Sequence, residues 1–157
     1  MSQGLLRTMA GECVRHLDLG DYVTAEQALA VREVMVRMRR CDTSTALITD
    51  GGRLSGIFTE RDVLLKVVHR PEAWDTPVSQ FMTAAPVSVD PAAAVAEALH
   101  LMNEGHFRDL PVVDADGHIL GNLTDNAIVD HLCDHLQAEV INLPPVPDQV
   151  PKTVEGA

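Results

Sequence analysis

The chain has 157 residues, of which 46% are hydrophobic and 22% charged, and its formal net charge is −11 at pH 7. This length corresponds to about one domain, and the composition is that of a soluble globular protein. The acidic charge argues against nucleic acid or an anionic membrane as a partner, because both need a basic surface. Any anionic ligand must therefore be held by a local arrangement of donors.

Cysteine usage and apolar runs point to a location in the cell. Cys13, Cys41 and Cys133 are widely spaced and include no CxxC pair. This pattern predicts reduced thiols, not a disulfide framework or a zinc knuckle. The N-terminal stretch lacks the apolar core of a secretory signal, and no run approaches the 18 apolar residues of a membrane span. We expect a cytoplasmic protein.

The first predicted elements form one compact unit. Apolar residues at helical spacing within 1–20 (Leu5, Leu6, Met9, Cys13 and Leu17) predict a helix on the core or on a second subunit. A short extended entry, "YV" at 22–23, precedes an amphipathic helix with Val31, Val34, Met35 and Met38 on one face. Two strands at 45–49 and 54–58 follow, joined by the turn "DGGR". The stretch "GIFTERD" then leads into a helix over 62–69.

The second half of the chain repeats the first. At an offset of 64 positions, Val23 falls on Val87 and Met38 on Met102. One inserted residue in the second turn changes the offset to 65, and Thr59 then falls on Thr124. The same order of elements recurs: an entry at 86–89, a helix after Val95, strands at 110–113 and 119–123, and a helix over 126–136. The chain is therefore two copies of one helix–strand–strand–helix unit.

Proline-rich segments separate and follow the copies. The link at 70–86 carries Pro71, Pro77 and Pro86, and Trp74 and Phe81 are its expected anchors against the body. The tail over 140–157 contains four prolines and is expected to be extended. We place the first unit, with the N-terminal helix, at 8–70 and the second at 71–139.

Two short strands cannot bury their own sheet face well, so the copies are expected to pack sheet to sheet about a pseudo-twofold axis. The predicted fold class is α+β, a sandwich-like arrangement of two tandem motifs. Over roughly residues 8–139, the doubled unit, with "TALITDGGRLSGIFTERD" and "FRDLPVVDADGHILGNLT", resembles a pair of cystathionine-β-synthase (CBS) domains, often called a Bateman module. The resemblance implies two clefts that commonly bind AMP, ADP, ATP, S-adenosylmethionine or a dinucleotide. It also implies dimerisation of the pairs into a flat disc, and it does not imply catalysis.

The turn "GIFTERD" allows two interpretations. Thr59 and Asp62 have the spacing of a capping box and could exist only to start a helix. Alternatively, the helix N-terminus and the Thr59 hydroxyl offer a phosphate seat, and the Asp62 carboxylate can accept two hydrogen bonds from a ribose diol. The resemblance implies these ligand roles for Thr59 and Asp62, while Gly56 lets the backbone pass close beside the strand. Arg61 could offset the acidic field.

The resemblance also implies that each cleft borrows residues from the other copy. For the cleft at Asp62 we expect Val87 and Ser88, and Arg108 near the phosphates; His106 is better interpreted as a solvated loop residue. The predicted nucleotide site therefore comprises Gly56, Phe58, Thr59, Arg61, Asp62, Val87, Ser88 and Arg108.

The second copy predicts a degenerate site comprising Thr24, Gly121 and Thr124. Ala127 stands where the first copy has Asp62, so the ribose contact is missing. Asp125, directly after Thr124, would repel a phosphate. We expect this second cleft to be empty or altered in specificity.

The last helix carries His131 and His135, four residues apart and on one side. This spacing suits a metal, but no third ligand with suitable spacing follows, so we predict no metal site. We also predict no catalytic residues, no catalytic cofactor and no enzymatic activity.

The expected function is that of a regulatory sensor of adenosine nucleotides, acting on a partner protein or on its own dimer. Three alternatives remain: a scaffold dimer with vestigial clefts, a binder of S-adenosylmethionine or a dinucleotide, and a metal-assisted enzyme that uses His131 and His135.

Overall fold

The structure is a computed structural model that describes residues 2–141, without the side chains at 2, 5, 6, 8 and 139–141. The helices are α1 (Ser2–Gly11), α2 (Val31–Arg40), α3 (Glu60–Asp62, continued by a π turn at Val63–Val67), α4 (Val95–Gly105) and α5 (Asp125–Ile141). The strands are β1 (Val23–Glu26), β2 (Thr45–Asp50), β3 (Arg53–Thr59), β4 (Thr83–Ala84), β5 (Asp109–Val113) and β6 (Ile119–Thr124). The predicted tail, beyond 141, and the side chains of Leu5 and Leu6 lie outside the described residues.

The predicted order of elements is confirmed in both copies. Helix α2 buries Val31, Val34 and Met38, and α4 buries the equivalent residues of the second copy. The link between the copies forms short 3₁₀ turns at Pro71–Asp75 and Val78–Gln80. Its predicted anchors, Trp74 and Phe81, are packed against the core of the first copy.

Each copy has a sheet built on one antiparallel hairpin. In the first copy β2 pairs with β3, and β1 lies parallel to β2 on the outer side. In the second copy β5 pairs with β6. The predicted entry at 86–89 contributes a single parallel bridge, Val89 with Val112. Pro86 has no N–H to donate to a ladder, which limits pairing at this entry.

The free edge of each hairpin is covered by a segment that precedes the other copy's helix. Strand β4 pairs with β3 through Ala84 and Gly56. In the second copy Gly20 bridges Asn122 of β6. Gly20 and Ala84 are 64 positions apart, so the two copies exchange equivalent segments.

The exchange extends to the two hydrophobic cores. Met9, Val14 and Leu17, near the N-terminus, are buried with the residues of the second copy. Ala73 and Val78 of the link are buried with the residues of the first copy. The boundaries at 8–70 and 71–139 follow the repeat along the chain, whereas each core draws residues from both ranges.

The backbone hydrogen bonds that dock the exchanged segments occur twice, 64 residues apart. The first set, onto the second copy, is Val14 N to Ala93 O, Arg15 N to Pro91 O and Val95 N to Glu12 O, at 2.9–3.0 Å. The second set, onto the first copy, is Val78 N to Leu29 O, Ser79 N to Gln27 O and Val31 N to Thr76 O, at 2.8–3.2 Å. The two docking arrangements are therefore the same structure built twice.

The pseudo-twofold axis passes between the sheets, where a residue can meet its own repeat equivalent. The Thr45 hydroxyl donates to Asp109 Oδ1 at 2.9 Å across a separation of 64 residues. Farther along the sheets, Arg53 and His118, 65 residues apart, form an antiparallel bridge. The predicted packing of sheet to sheet is confirmed by these contacts.

The exchange explains both repeated glycines. A Cβ on Gly121 would overlap the side chain of Leu19 and lie 3.0 Å from the Leu19 carbonyl oxygen. That oxygen is fixed, because it accepts a 2.9 Å hydrogen bond from Asn122 N. A Cβ on Gly56 would meet only side-chain atoms of Met82, which is flexible.

Gly121→Ala should lower the free energy of unfolding by about 1–3 kcal/mol, because a rigid backbone neighbour must move. Gly56→Ala should cost less, since Met82 can change its rotamer. Gly11→Ala is the control, because no atom lies within 4 Å of its added Cβ. Urea unfolding measures the free energy of unfolding of the three variants. Equal losses of stability in the Gly121 and Gly56 variants would contradict this prediction.

Candidate ligand cleft

A cleft of about 750 Å³ lies between the copies, at the end of β3. The first copy contributes the turn from Thr59 to Asp62, and the second contributes two segments, 83–87 and 105–109. The structure thus brings Thr59, Arg61, Asp62, Val87 and Arg108 of the predicted site into one cavity. A volume of this size suits a small organic ligand.

Asp62 organises the first-copy wall of the cleft. Its Oδ2 accepts hydrogen bonds from the Thr59 backbone N–H at 2.9 Å and from the Thr59 hydroxyl at 3.2 Å. Its Oδ1 lies 2.8 Å from Lys66 Nζ, and the Asp62 side chain is only 13% exposed. The predicted capping box is present. A carboxylate has about four acceptor positions, so these three contacts leave capacity for a ligand hydroxyl.

Two guanidinium groups supply positive charge to the cleft. Arg61 and Arg108 both line it and both are exposed. Within residues 2–141, neither side chain has an ion-pair or hydrogen-bond partner. In a chain of net charge −11, these two unpaired cations are the groups of the cleft that can contact an anion, although three carboxylates also line it: Glu60, Asp62 and Asp109.

Three predicted site residues lie elsewhere. Phe58 is fully buried in the first core. Gly56 is covered by Met82, so its lack of a side chain serves the exchanged segment. Ser88 is half-buried and is not one of the residues that line the cleft in the described chain.

The cleft is also lined by residues that the sequence analysis did not assign to the site. Phe107, 39% exposed, and Ile57 give it apolar surface. His106, predicted to be a solvated loop residue, lines it too. Ala85 lines it with a φ of 47°, in the left-handed region that few residues other than glycine adopt. The scarcity of aromatics, only 3% of the chain, was the signal in the sequence that could have drawn attention to Phe107.

The three residues of the predicted degenerate site are not brought together. Thr24 lines a separate hollow of about 590 Å³ with Arg37 and Arg40. Thr124 is buried, and its hydroxyl caps α5 by accepting from Ala127 N at 3.1 Å. Gly121 lies under Leu19.

A third side chain of metal-binding type lies close to the histidine pair on α5, and the sequence did not suggest it. Ligand atoms of Glu12, His131 and His135 all lie within 4.8 Å of one another. Glu12 follows α1 and reaches α5 because the N-terminal segment docks on the second copy. No third ligand follows the pair in the sequence, but the fold brings a candidate third ligand, Glu12, to it from the N-terminal segment.

The fold defines a tandem pair of small α+β motifs, and the chain belongs to the CBS domain family. The family model matches residues 14–69 and 78–134. A CBS domain-containing protein of Arabidopsis thaliana, CBSCBSPB5, is 36% identical over 89 residues, which cover 55% of this chain and 16% of that protein. The chain thus spans about a sixth of the length of this relative.

Solved structures show the same fold. The cytosolic domain of the Mg²⁺ channel MgtE, in complex with ATP, has a TM-score of 0.61 and 28% identity, covering 71% of this chain and 45% of that one. CBSX2 in complex with AMP has a TM-score of 0.69 and 21% identity, covering 79% and 98%. None of the described helices has the length and apolar content that a bilayer crossing requires.

Asp62→Ala should lower the free energy of unfolding by about 1 kcal/mol, because it removes the acceptor of the Thr59 N–H at the helix start. Glu60→Ala, in the same turn and with the same change in charge, is the control, since Glu60 is exposed. Chemical denaturation compares the two. Equal stability of the two variants would mean that the capping box contributes nothing.

Proposed function

We propose that the cleft binds an adenosine nucleotide and that the chain is a regulatory sensor module. The observation that carries this proposal is the pair of unpaired guanidinium groups, Arg61 and Arg108, beside a carboxylate in one cavity. Nucleotides combine a diol with anionic phosphates, and the two kinds of group require different partners. The cleft offers both kinds of partner: Asp62 for the diol, and Arg61 and Arg108 for the phosphates.

Each part of the ligand has a partner in this arrangement. The Asp62 carboxylate accepts from one ribose hydroxyl with its remaining acceptor position, as acidic residues do in dinucleotide sites. Arg61 and Arg108 hold the phosphates. The Thr59 hydroxyl donates its one proton to Asp62 and so positions that carboxylate. Ile57, Val87 and Phe107 supply apolar surface for the base.

The relatives support an adenosine ligand. The MgtE cytosolic domain, 28% identical to this chain, is described in complex with ATP. CBSX2, which shares the fold, is described in complex with AMP. AMP, ADP and ATP are therefore the first ligands to test, with S-adenosylmethionine and a dinucleotide as the alternatives.

The regulatory mechanism we propose is a shift in population between relative arrangements of the two copies. Arg61 and Asp62 come from the first copy, whereas Val87 and Arg108 come from the second. A ligand that contacts both walls binds more tightly to the arrangement that brings them together, and it favours that arrangement by this difference in affinity. The effector is a partner protein or the module's own dimer.

A thermal-shift titration with AMP, ADP, ATP, NADH and S-adenosylmethionine tests the proposal. At about 100 times the dissociation constant, a ligand should stabilise the wild type by about 2.7 kcal/mol. Asp62→Ala should lose this increment, measured from its own ligand-free baseline so that the loss of the cap does not interfere. Glu33→Ala should retain it, because Glu33 is an exposed carboxylate on α2 and is not one of the residues that line the cleft.

Arg108→Ala separates phosphate recognition from nucleoside recognition. It should weaken nucleotide binding about tenfold or more and leave adenosine binding unchanged, because only the phosphate contact is lost. Calorimetric titration measures both. If no ligand stabilises the wild type, the scaffold interpretation, with vestigial clefts, replaces the sensor.

We also propose that the module is a homodimer. Leu64 and Leu65, just after α3, are 65% and 69% exposed, and Val129 on the equivalent helix α5 is 54% exposed. Large apolar side chains exposed on equivalent helices are typical of an interaction surface. A second copy of the chain is the occupant we assign, in line with the dimerisation that the family resemblance implies.

Leu65→Glu should weaken the dimer at least tenfold, because each interface would lose a buried leucine and gain a charge. Leu120→Glu is the control, since Leu120 is 49% exposed and lies on strand β6 instead of on either helix. Size-exclusion chromatography with light scattering over a dilution series measures the change. A monomeric wild type, or equal weakening in both variants, would refute the assignment.

A further inference from the structure

The contact between α5 and the N-terminal segment contains three side chains of metal-binding type. Ligand atoms of Glu12, His131 and His135 lie within 4.8 Å of one another, and all three residues are partly buried. Glu12 and His131 have only 21% and 22% of their side-chain surface exposed. These residues are distant from the nucleotide cleft in sequence, and none of them lines that cleft.

His131 Nε2 is the most informative atom of the cluster. It is buried, and among the described residues it has no hydrogen-bond partner. Its nearest acidic neighbour, Glu12 Oε2, lies 3.8 Å away, beyond hydrogen-bonding distance. A buried polar atom without a partner carries a desolvation cost. A bound cation would remove that cost.

The spacing fits ligands that share one ion. Two ligand atoms about 2.0–2.2 Å from a tetrahedral Zn²⁺ lie about 3.3–3.5 Å apart. The 3.8 Å gap between His131 Nε2 and Glu12 Oε2 needs to close only slightly to reach that separation. The imidazole rings of His131 and His135 are also close, with centroids 4.4 Å apart.

Two other polar atoms of the proposed ligands, one on His135 and one on Glu12, are already held by neighbouring groups. His135 Nδ1 lies 3.0 Å from the His131 carbonyl oxygen, which leaves Nε2 of His135 as its ligand atom. Glu12 Oε1 contacts His16 Nδ1, which leaves Oε2 directed to His131. Outer partners of this kind orient metal ligands and select their tautomers.

The repeat provides an internal comparison. At the positions equivalent to His131, His135 and Glu12, the first copy has Lys66, Arg70 and Thr76. There Lys66 pairs with Asp62, whose equivalent in the second copy is Ala127. The second copy has therefore lost the carboxylate and cation of the first and has metal-ligating side chains on the same scaffold.

We propose that Glu12, His131 and His135 form a binding site for a divalent transition metal, with Zn²⁺ as the preferred ion. Two imidazoles and one carboxylate form a donor set that zinc sites use with a fourth position open. The ion would join the N-terminal segment to α5. Because Glu12 O also accepts from Val95 N, at the start of α4, the site would fasten three elements of the second core.

Zinc binding to the full chain, stripped of metal with a chelator and exchanged into metal-free buffer, tests the proposal. ZnSO₄ is the probe, with stoichiometry and affinity measured by competition against a chromogenic indicator and by native mass spectrometry. We expect one ion per chain and a raised melting temperature. His135→Arg and His131→Lys, which install the first-copy residues, should weaken binding by about 100-fold or more.

A second cluster on the β5–β6 turn supplies the control. Asp114, Asp116 and His118 also group together, but two of the three are exposed. Asp114 Oδ1 is occupied by the backbone N–H groups of His118 and Asp116, at 2.9 Å each, and the His118 N–H lowers the pKa of the Asp114 carboxyl. His118→Ala should therefore leave zinc binding and the zinc-induced rise in melting temperature unchanged.

Three outcomes would overturn the proposal: no zinc bound by the wild type, retention of full affinity in both α5 variants, or loss of binding in His118→Ala. Far-UV circular dichroism and urea unfolding of the metal-free variants distinguish lost binding from failure to fold. Glu12→Gln adds a third measurement, because it keeps the size of the side chain and removes only its charge.

Discussion

The exchange of docking segments between the two repeats is the constraint on which the rest of this structure depends. A hairpin with an exposed edge and the two helices of its own copy cannot close a core by itself. Each copy solves this problem with residues that precede the other copy, Val14 and Leu17 on one side and Ala73 and Val78 on the other. Neither half of the chain has a complete core without the other. This is the physical reason why the repeat occurs as a pair.

The same constraint places the ligand cleft. The segment that covers the edge of β3 continues through Ala85 and Val87 along the cavity wall. The cleft is therefore assembled from both copies, and a ligand bound there would contact both of them. The Asp109 carboxylate, which lines the cavity, also accepts from Thr45 at the pseudo-twofold axis and from Asn122 of β6. The Asp109 side chain thus belongs both to the wall of the cleft and to the contact between the two sheets.

Duplication also allowed the two copies to diverge in chemistry while keeping one backbone. The docking hydrogen bonds are the same in both, but the helix that follows each threonine turn carries different partners. Asp62 and Lys66 form an ion pair in the first copy, and Ala127 and His131 replace them in the second. Because the side chains at these four positions are only partly buried, they can change without disturbing the fold.

Local pattern alone was sufficient for much of the architecture. The spacing of Val31, Val34 and Met38 predicted α2, the turn chemistry predicted both hairpins, and the offset of 64 predicted the pair. Thr59 and Asp62 were identified from their spacing at a helix start. Apart from the repeat, which compares the chain with itself, these features depend on residues within a few positions of one another, where chain geometry is set by local sterics and hydrogen bonds.

The tertiary structure alone decided which segments close which core, that Gly56 and Gly121 make room for exchanged segments, and that Glu12 meets His131. These contacts join residues far apart in sequence, and their formation depends on how two sheets pack and which edges need cover. The burial of apolar surface drives that packing, and this driving force has no preferred direction. The pattern of apolar residues along the sequence therefore identifies the apolar faces but not which faces pack together.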